Sequence, residues 1–355
     1  MMINNVAIFL PSSKIGGGNR VLIKLGKMLF EDKRKCTFYF TERKGKSFDL
    51  PIKYHKVSKP IFKDNILFIL IAFISLSLKI RQNKEIEYVI VSDPILCIFS
   101  FLYKNKKIIR YVQSDDLMVF VDNEKGNKFF FGIYKILFKI SQRFNYFKVI
   151  FNSSFSLISY LKTVNNKFLY NNSHILNPPV FTTRFKKINK IKYSKNFKIC
   201  SVVGNKPRKG LGNLINIIKN SNIKNIEFHI ITQDKITFES PLIKYYTPKT
   251  DIEYVNILRK CNFFLGVSTF EGFGLPLIES MALGLVPISF YNKGLDEYND
   301  NGLITIINSP EDFNKKLKKI TQNFNNLELL SKSAILIANK FDERYFYQSF
   351  KRKFT

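Results

Sequence analysis

Short apolar runs alternate with amphipathic stretches along the chain. Val6 to Leu10 is apolar enough for a buried strand, Gly16 to Gly18 marks a glycine turn, and Val21 to Leu29 carries apolar residues at helical spacing before a strand at Thr37 to Phe40. An apolar helix follows near residues 65 to 80, then strands at Tyr88 to Val91 and Lys107 to Val112, a long helical stretch, and a strand at Lys148 to Phe151. Strands separated by helices in this way predict a doubly wound parallel sheet with helices on both faces.

The paired prolines and basic, weakly periodic run of Asn177 to Asn196 (NPPVFTTRFKKINKIKYSKN) interrupt the alternation and read as an interdomain linker. The alternation then restarts. Strands are expected at Phe197 to Val203, Ile226 to Thr232 and Phe263 to Val267, with helices at Gly212 to Lys219 and Asp251 to Arg259. Two such sheets in tandem give an α/β chain with domains over residues 1–178 and 179–340, facing a central cleft where ligands collect at the carboxyl ends of strands. Residues 341–355 are expected to form a C-terminal helix packing back toward the first domain.

Composition agrees with two cores, since 355 residues at 45% hydrophobic content are long for one. Cys36, Cys97, Cys200 and Cys261 sit in or beside apolar segments without metal-ligand spacing, as reduced core residues of a cytosolic protein do. The start, MMINNVAIFLPSS, lacks the charged and long apolar regions of a signal peptide. The run Asn65 to Leu78 (NILFILIAFISLSL) falls short of the roughly 20 residues a spanning helix needs, so a buried or interfacial helix is expected.

The formal net charge is +30, divided as +17 over residues 1–178 and +13 over 179–355. The excess includes the runs Lys33 to Lys35 and Lys104 to Lys107. An anionic membrane surface would account for it, each basic residue near lipid contributing about 1 kcal/mol. The chain's richness in Lys, Asn, Ile, Phe and Tyr, the residues an AT-rich genome favours, would account for some of it without any partner. Nucleic acid is not expected, because no aromatic RNA-binding signature, zinc-ligand set or helix-turn-helix accompanies the charge.

Candidate chemistry concentrates after the strand at Phe263 to Val267, in STFEGFGLPLIESMALGLVPIS, Ser268 to Ser289. Pro276 suits the first turn of a helix and Gly284 its end, giving a helix over about Leu275 to Leu283. Glu271 then lies in the loop and Glu279 one turn into the helix. Gly272 and Gly274 allow a tight turn that leaves the amides of Phe273, Gly274 and Leu275 free at a helix N-terminus, a site for phosphate. Among the three histidines, His229 falls in an apolar strand, while His55 and His174 lack carboxylate or cysteine partners nearby in sequence.

EGFGLPLIESMALG, Glu271 to Gly284, resembles the E-x7-E signature of retaining nucleotide-sugar glycosyltransferases of the GT-B fold, the group often called family 4. The resemblance continues in NKGLDEYNDNGLI (Asn292 to Ile304), VVGNKPRKGLGNLI (Val202 to Ile215), GGGNRVLIKLGKML, FNSSFSLISYL and ILNPPV, so it spans nearly the whole chain. It implies two Rossmann-like domains, the first on the acceptor side and the second binding the donor. It further implies that Glu279 accepts hydrogen bonds from the donor ribose and Glu271 contacts the transferred sugar. The amides of Gly274 and Leu275, with Lys209, would hold the diphosphate, while Gly17 and Gly18 would let the first domain's backbone close over it.

Two positions depart from the family pattern. Asn205 stands where many members carry arginine, so a second phosphate cation would have to be Lys206 or Arg208. Gln113, in RYVQSDDL, stands where many carry histidine, and so resembles a subset that includes rhamnosyltransferases. Asp115 and Asp93 are candidate sugar or acceptor contacts, with a turn role equally open for Asp93. Tyr245 and Tyr246 fall where the family approaches the nucleotide base, or are ordinary strand residues. Adjacent Asp115 and Asp116 suit a cap or solvent better than a metal, and the resemblance implies neither metal nor cofactor.

The expected activity is metal-independent transfer of a hexose or deoxyhexose from a nucleotide diphosphate sugar onto a surface polysaccharide or lipid-linked glycan precursor, at the cytoplasmic face of a membrane. A non-catalytic nucleotide- or nucleic-acid-binding protein of the same fold is the alternative. A nucleotide-sugar epimerase would require further carboxylates and histidines.

Overall fold

The structure, a computed structural model, describes residues 5–12, 17–41, 55–58, 65–115, 128–141, 146, 148–164, 173–180, 196–299 and 302–354. Two compact units divide the chain: Met1–Asn177 together with Phe346–Thr355, and Pro178–Tyr345. Of the expected linker, residues 181–195 lie outside the described residues, as do Gly16 and Asp116.

The first unit runs β1 (Asn5–Phe9), α1 (Gly17–Glu31), β2 (Lys35–Thr41), β3 (His55–Ser58), α2 (Ile66–Gln82), β4 (Tyr88–Val91) and α3 (Pro94–Ile98). A 3-10 segment, Phe99–Tyr103, leads to β5 (Lys107–Val112), α4 (Lys128–Ser141), β6 (Lys148–Phe151), α5 (Ser154–Val164) and β7 (Ser173–Ile175). Every strand pair is parallel, in the order β3-β2-β1-β4-β5-β6-β7.

Alternation of side chains along β1 splits the core between two faces. Ala7 and Phe9 join Phe73 and Leu76 of α2 and Phe138 of α4 on one side. Ile8 faces α1 on the other, close to Gly26. The expected glycine turn differs from what forms, because Gly17 and Gly18 already open α1. The sequence reading also passed over α3, whose start is a proline preceded by a capping aspartate, the same residues that open a turn.

The second unit repeats the plan. Its elements are β8 (Phe197–Val202), a 3-10 turn at Pro207–Lys209, α6 (Leu211–Lys219), β9 (Ile226–Ile231), β10 (Ile243–Tyr246), α7 (Asp251–Leu258), β11 (Phe263–Gly266) and α8 (Leu275–Ala282). There follow β12 (Val286–Phe290), a 3-10 segment Lys293–Glu297, β13 (Thr305–Ile307), α9 (Asp312–Thr321) and α10 (Phe324–Asn339). The all-parallel order is β10-β9-β8-β11-β12-β13. Phe263 and Leu265 enter a core beneath α6 and α9, whereas Phe264 enters the opposite core beneath α7, α8 and α10.

Relabelled from its own first strand, the second sheet has the order 3-2-1-4-5-6 and the first the same order with a seventh strand added at its edge, so each reverses direction between its first and fourth strands. Ligands of such sheets collect outside the carboxyl ends of the strands at that reversal. In the second unit the reversal lies between β8 and β11.

The last helix, α11 (Glu343–Phe354), starts in the second unit and ends among residues grouped with the first. There Tyr347 donates to Asp32 Oδ2 at 2.9 Å, and Lys353 Nζ donates to the Ile175 carbonyl.

A Cβ at Gly26 would lie 2.3 Å from Phe38 Cζ, and Phe38 is wholly buried. Gly26→Ala therefore overpacks the α1–β2 contact and is expected to destabilise by about 1 to 3 kcal/mol. Urea midpoints at unchanged slope measure it, and a loss under about 0.5 kcal/mol would refute tight packing there.

Candidate active site

Three loops follow β8, β11 and β12 and meet beside the reversal. The β8 loop carries Lys209 on a single 3-10 turn that ends at Gly210, whose φ of 69° is left-handed. A Cβ there would lie 1.8 Å from the Val267 carbonyl oxygen, so only glycine lets this loop lie against the end of β11. The Thr269 amide donates to the Arg208 carbonyl at 3.0 Å, closing the same seam.

The β11 loop carries Glu271 and then turns into α8 through Gly274, at φ 80°. No side chain caps this helix, and Pro276 occupies its first turn. The Leu275 amide at its start has no acceptor within the helix, Pro276 has no amide, and the Leu277 amide donates to the Gly274 carbonyl at 3.1 Å. The β12 loop supports it from below. Tyr298 donates to the Gly274 carbonyl at 3.2 Å, and Asn292 Nδ2 donates to the Ser268 carbonyl at 3.3 Å while its Oδ1 caps Gly294 N. Burial, and then the Glu271 carboxylate, push the Tyr298 hydroxyl well up, so it stays a neutral donor.

Lys209 Nζ and Glu271 Oε1 stand 2.7 Å apart, both half-buried. The pair borders a cavity of about 120 Å³ that Gly204, Ser268, Gly274 and Asn292 also line. That volume suits a phosphoryl-sized fragment, since whole small-molecule sites run to roughly 300 Å³ and more. A larger cavity, about 610 Å³, opens instead at the amino-terminal ends of β1 and β2, beside Asn5, Lys35 and Glu85. Ligands of open parallel sheets do not gather at that end.

The other predicted residues disperse. Lys206 is exposed and Arg208 half-buried, and neither borders the cavity. Glu279 lies in the second turn of α8 at 1% exposure and does not border it either. Phe273 packs its ring against Tyr298 and Phe341, leaving only its backbone to the loop. Leu275 is the first helical residue. Tyr245 and Tyr246 lie in β10, and Tyr246 stacks on buried His229 at 5.3 Å.

In the first unit, Gln113 and Gly18 are brought together. Gln113 Nε2 donates to the Gly18 carbonyl at 3.1 Å and to Ser92 Oγ at 2.7 Å. A Cβ at Gly18 would come within 3.2 Å of Gln113 Oε1. Fully buried Arg110, absent from the sequence reading, donates to the carbonyls of Val91 and Ser92 and so fixes the same corner. Asn152 Nδ2 donates to the Gln113 carbonyl at 2.7 Å, while its Oδ1 accepts from Ser156 at 2.6 Å. The asparagine–serine segment therefore ties β5 to β6. Asp115 accepts from Ser159 Oγ at 2.6 Å. Asp93 caps α3, accepting from the amides of Ile95 and Leu96 at 2.8 and 3.2 Å, which is the turn role rather than an open carboxylate.

Among the described residues, no group of His, Cys, Asp and Glu could hold a metal ion.

The fold thus defined is GT-B, two Rossmann-like units with the candidate site built on the second. Residues 183–336 match the family described as Glycosyl transferases group 1. Similar solved structures include a sucrose-phosphate synthase from Thermosynechococcus elongatus (TM-score 0.77, 14% identity, 99% of this chain and 98% of that one). Another is Anabaena Alr3699/HepE, in complex with UDP and glucose (0.77, 13%, 99% of both chains). A third is WaaG, a glycosyltransferase involved in lipopolysaccharide biosynthesis (0.74, 13%, 98% of both). No curated protein matches the sequence. Fold and family match together support a GT-B glycosyltransferase.

Gly210 and Gly212 separate backbone necessity from coincidence, because a Cβ at Gly212 meets nothing within 4 Å. Gly212→Ala is expected to stabilise by about 0.5 to 1 kcal/mol through helix propensity. Gly210→Ala should destabilise by at least about 1 to 3 kcal/mol through the forced loop shift and its left-handed φ. Thermal melts of the two variants side by side measure this, and equal shifts would refute the seam.

Proposed function

We propose that the protein transfers a hexosyl or deoxyhexosyl group from a nucleotide diphosphate sugar, with retention of configuration, onto a surface polysaccharide or a lipid-linked glycan precursor such as that of capsule or O-antigen. The observation that carries this reading is the Lys209–Glu271 pair, at 2.7 Å, beside the uncapped N-terminus of α8. A cation and a set of amides converge there on a phosphate-sized space, with a carboxylate alongside. The UDP and glucose bound to HepE support the donor class, and the role of WaaG in lipopolysaccharide biosynthesis supports the acceptor class.

In this reading the donor diphosphate displaces Glu271 as the partner of Lys209. Glu271 is then released toward the hydroxyls of the sugar. As the bond to the sugar breaks, Lys209 and the amides of Gly274 and Leu275 meet the charge that develops on the leaving phosphate. The acceptor hydroxyl attacks on the face the phosphate leaves, and the departing phosphate oxygen takes its proton. Proximity replaces a side-chain base. Glu279 is assigned to the ribose hydroxyls, a role that requires its buried carboxylate to become accessible when the nucleotide enters. Neither a metal nor a cofactor is given a part.

A thermal-shift screen against UDP, GDP, dTDP, ADP and CMP tests the donor class. A nucleotide at a hundred times its dissociation constant should stabilise by about 2.7 kcal/mol, and no response to any of them would overturn the reading.

Variants then assign the roles. Lys209→Ala should weaken diphosphate binding roughly 10- to 100-fold while leaving the nucleoside unaffected, as loss of a charge-assisted bond does. Glu271→Gln should bind diphosphate at least as well as wild type, because Lys209 is freed, yet transfer sugar more slowly. Glu279→Ala should weaken nucleotide and donor alike, and an unchanged affinity there would sink the ribose assignment.

A further inference from the structure

Helix α2 is apolar on every side from Ile66 to Leu78. One stripe, Ile69, Phe73, Leu76 and Ile80, is buried against the first sheet. The opposite stripe, Leu67, Ile71, Ile74 and Leu78, repeats the same helical spacing and lies 38% to 60% exposed. A helix apolar all round is normally enclosed in a core or in lipid, and this one is half open.

Helix α4 presents a second such stripe. Ile133, Ile136, Leu137 and Ile140 are 40% to 61% exposed, while Phe138 enters the core. The 3-10 segment Phe99–Tyr103 touches both helices and adds Phe101 at 46% exposure. The two stripes thus belong to one side of the first unit, and together they exceed the isolated apolar residues of an ordinary surface.

The charge on these elements has one sign. None of the three contains an aspartate or glutamate. Lys79, Arg81, Lys104, Lys135 and Lys139 are all exposed. In the basic runs prominent in the sequence, Arg34 pairs with Asp32 at 2.9 Å, Lys35 with Glu85 at 3.6 Å and Lys107 with Glu87 at 2.9 Å, so three of their six basic residues are answered locally.

We propose that α2, the Phe99–Tyr103 segment and α4 form a docking face for an anionic lipid bilayer, with the apolar stripes entering the acyl boundary and the lysines meeting lipid phosphates. A second copy of this chain would bring cation against cation, whereas an anionic headgroup layer complements both the apolar stripes and the charge. Among the described residues, no helix is long and apolar enough to cross the membrane, so the contact is one of lying on the surface. The inference does not depend on the donor reading, since it concerns the first unit alone.

The test is vesicle flotation of the full chain. Wild type should float with phosphatidylcholine vesicles carrying about a third phosphatidylglycerol, bind neutral vesicles much less, and retain part of its binding in high salt through the apolar stripes. Ile71→Glu combined with Ile136→Glu should lose about tenfold or more in partitioning, because two exposed apolar anchors become anions. Ile252→Glu, at a still more solvent-exposed apolar position of the second unit, should float like wild type. A nucleotide thermal shift run on the same samples reports the donor site separately and verifies that each variant is folded. Equal flotation of wild type and the double variant would overturn the proposal. So would a wild-type dimer in solution that the double variant abolishes, which would assign the face to a second copy.

Discussion

Backbone must touch backbone where the loops after β8, β11 and β12 meet, and a methyl group cannot fit between them. At Gly210 a Cβ would collide with the Val267 carbonyl, and at Gly294 it would lie 2.9 Å from the Glu271 carbonyl oxygen. Within the strands, the obstacle at Gly266 is a side chain instead, since a Cβ there would lie 2.4 Å from Ser289 Oγ. These glycines bring Lys209, Glu271 and the start of α8 within reach of one another. The hydrogen bonds from Asn292 and Tyr298 then hold what the missing side chains permit. The chemistry of the site therefore rests on steric absence before it rests on charge.

Electrostatics follows from that geometry. Lys209 and Glu271 are each still partly open to water, at 33% and 18% side-chain exposure, so each can exchange its partner without being stranded in an apolar interior. A fully buried pair would hold too firmly to yield to an incoming anion, and a fully exposed one would be too weak to prearrange it. The neutral Tyr298 below adds a hydrogen bond to the loop without adding a competing charge.

Much of this was legible in the chain. The segment from β11 through Glu271 to α8 announces itself because glycine, proline and a second glycine punctuate it with fixed conformational meanings. The strands buried on both faces were legible as short apolar runs. Less legible were the contacts that depend on which loops become neighbours: nothing near Tyr298 in sequence says that it will lie under Gly274, and nothing near Arg110 says that it will be wholly buried against carbonyls. Asp93 opens a turn and caps a helix with the same residues, so only the helix that follows decides. The open side of α2 was hidden for a different reason, since a helix apolar all round carries no pattern to say which side meets the sheet.

The repeated strand order sets up a comparison between the units. Helices α3 and α8 hold equivalent places, each following the strand on the far side of the reversal, and each has proline in its first turn. In α3 the carboxylate of Asp93 caps the amides of Ile95 and Leu96, whereas at the same places in α8 Pro276 has no amide and the Leu277 amide donates to the Gly274 carbonyl at 3.1 Å. One plan has thus been used twice with different cap residues. Aspartate at the cap position places a carboxylate of the chain itself over the start of α3, and glycine at the same position leaves the start of α8 without one.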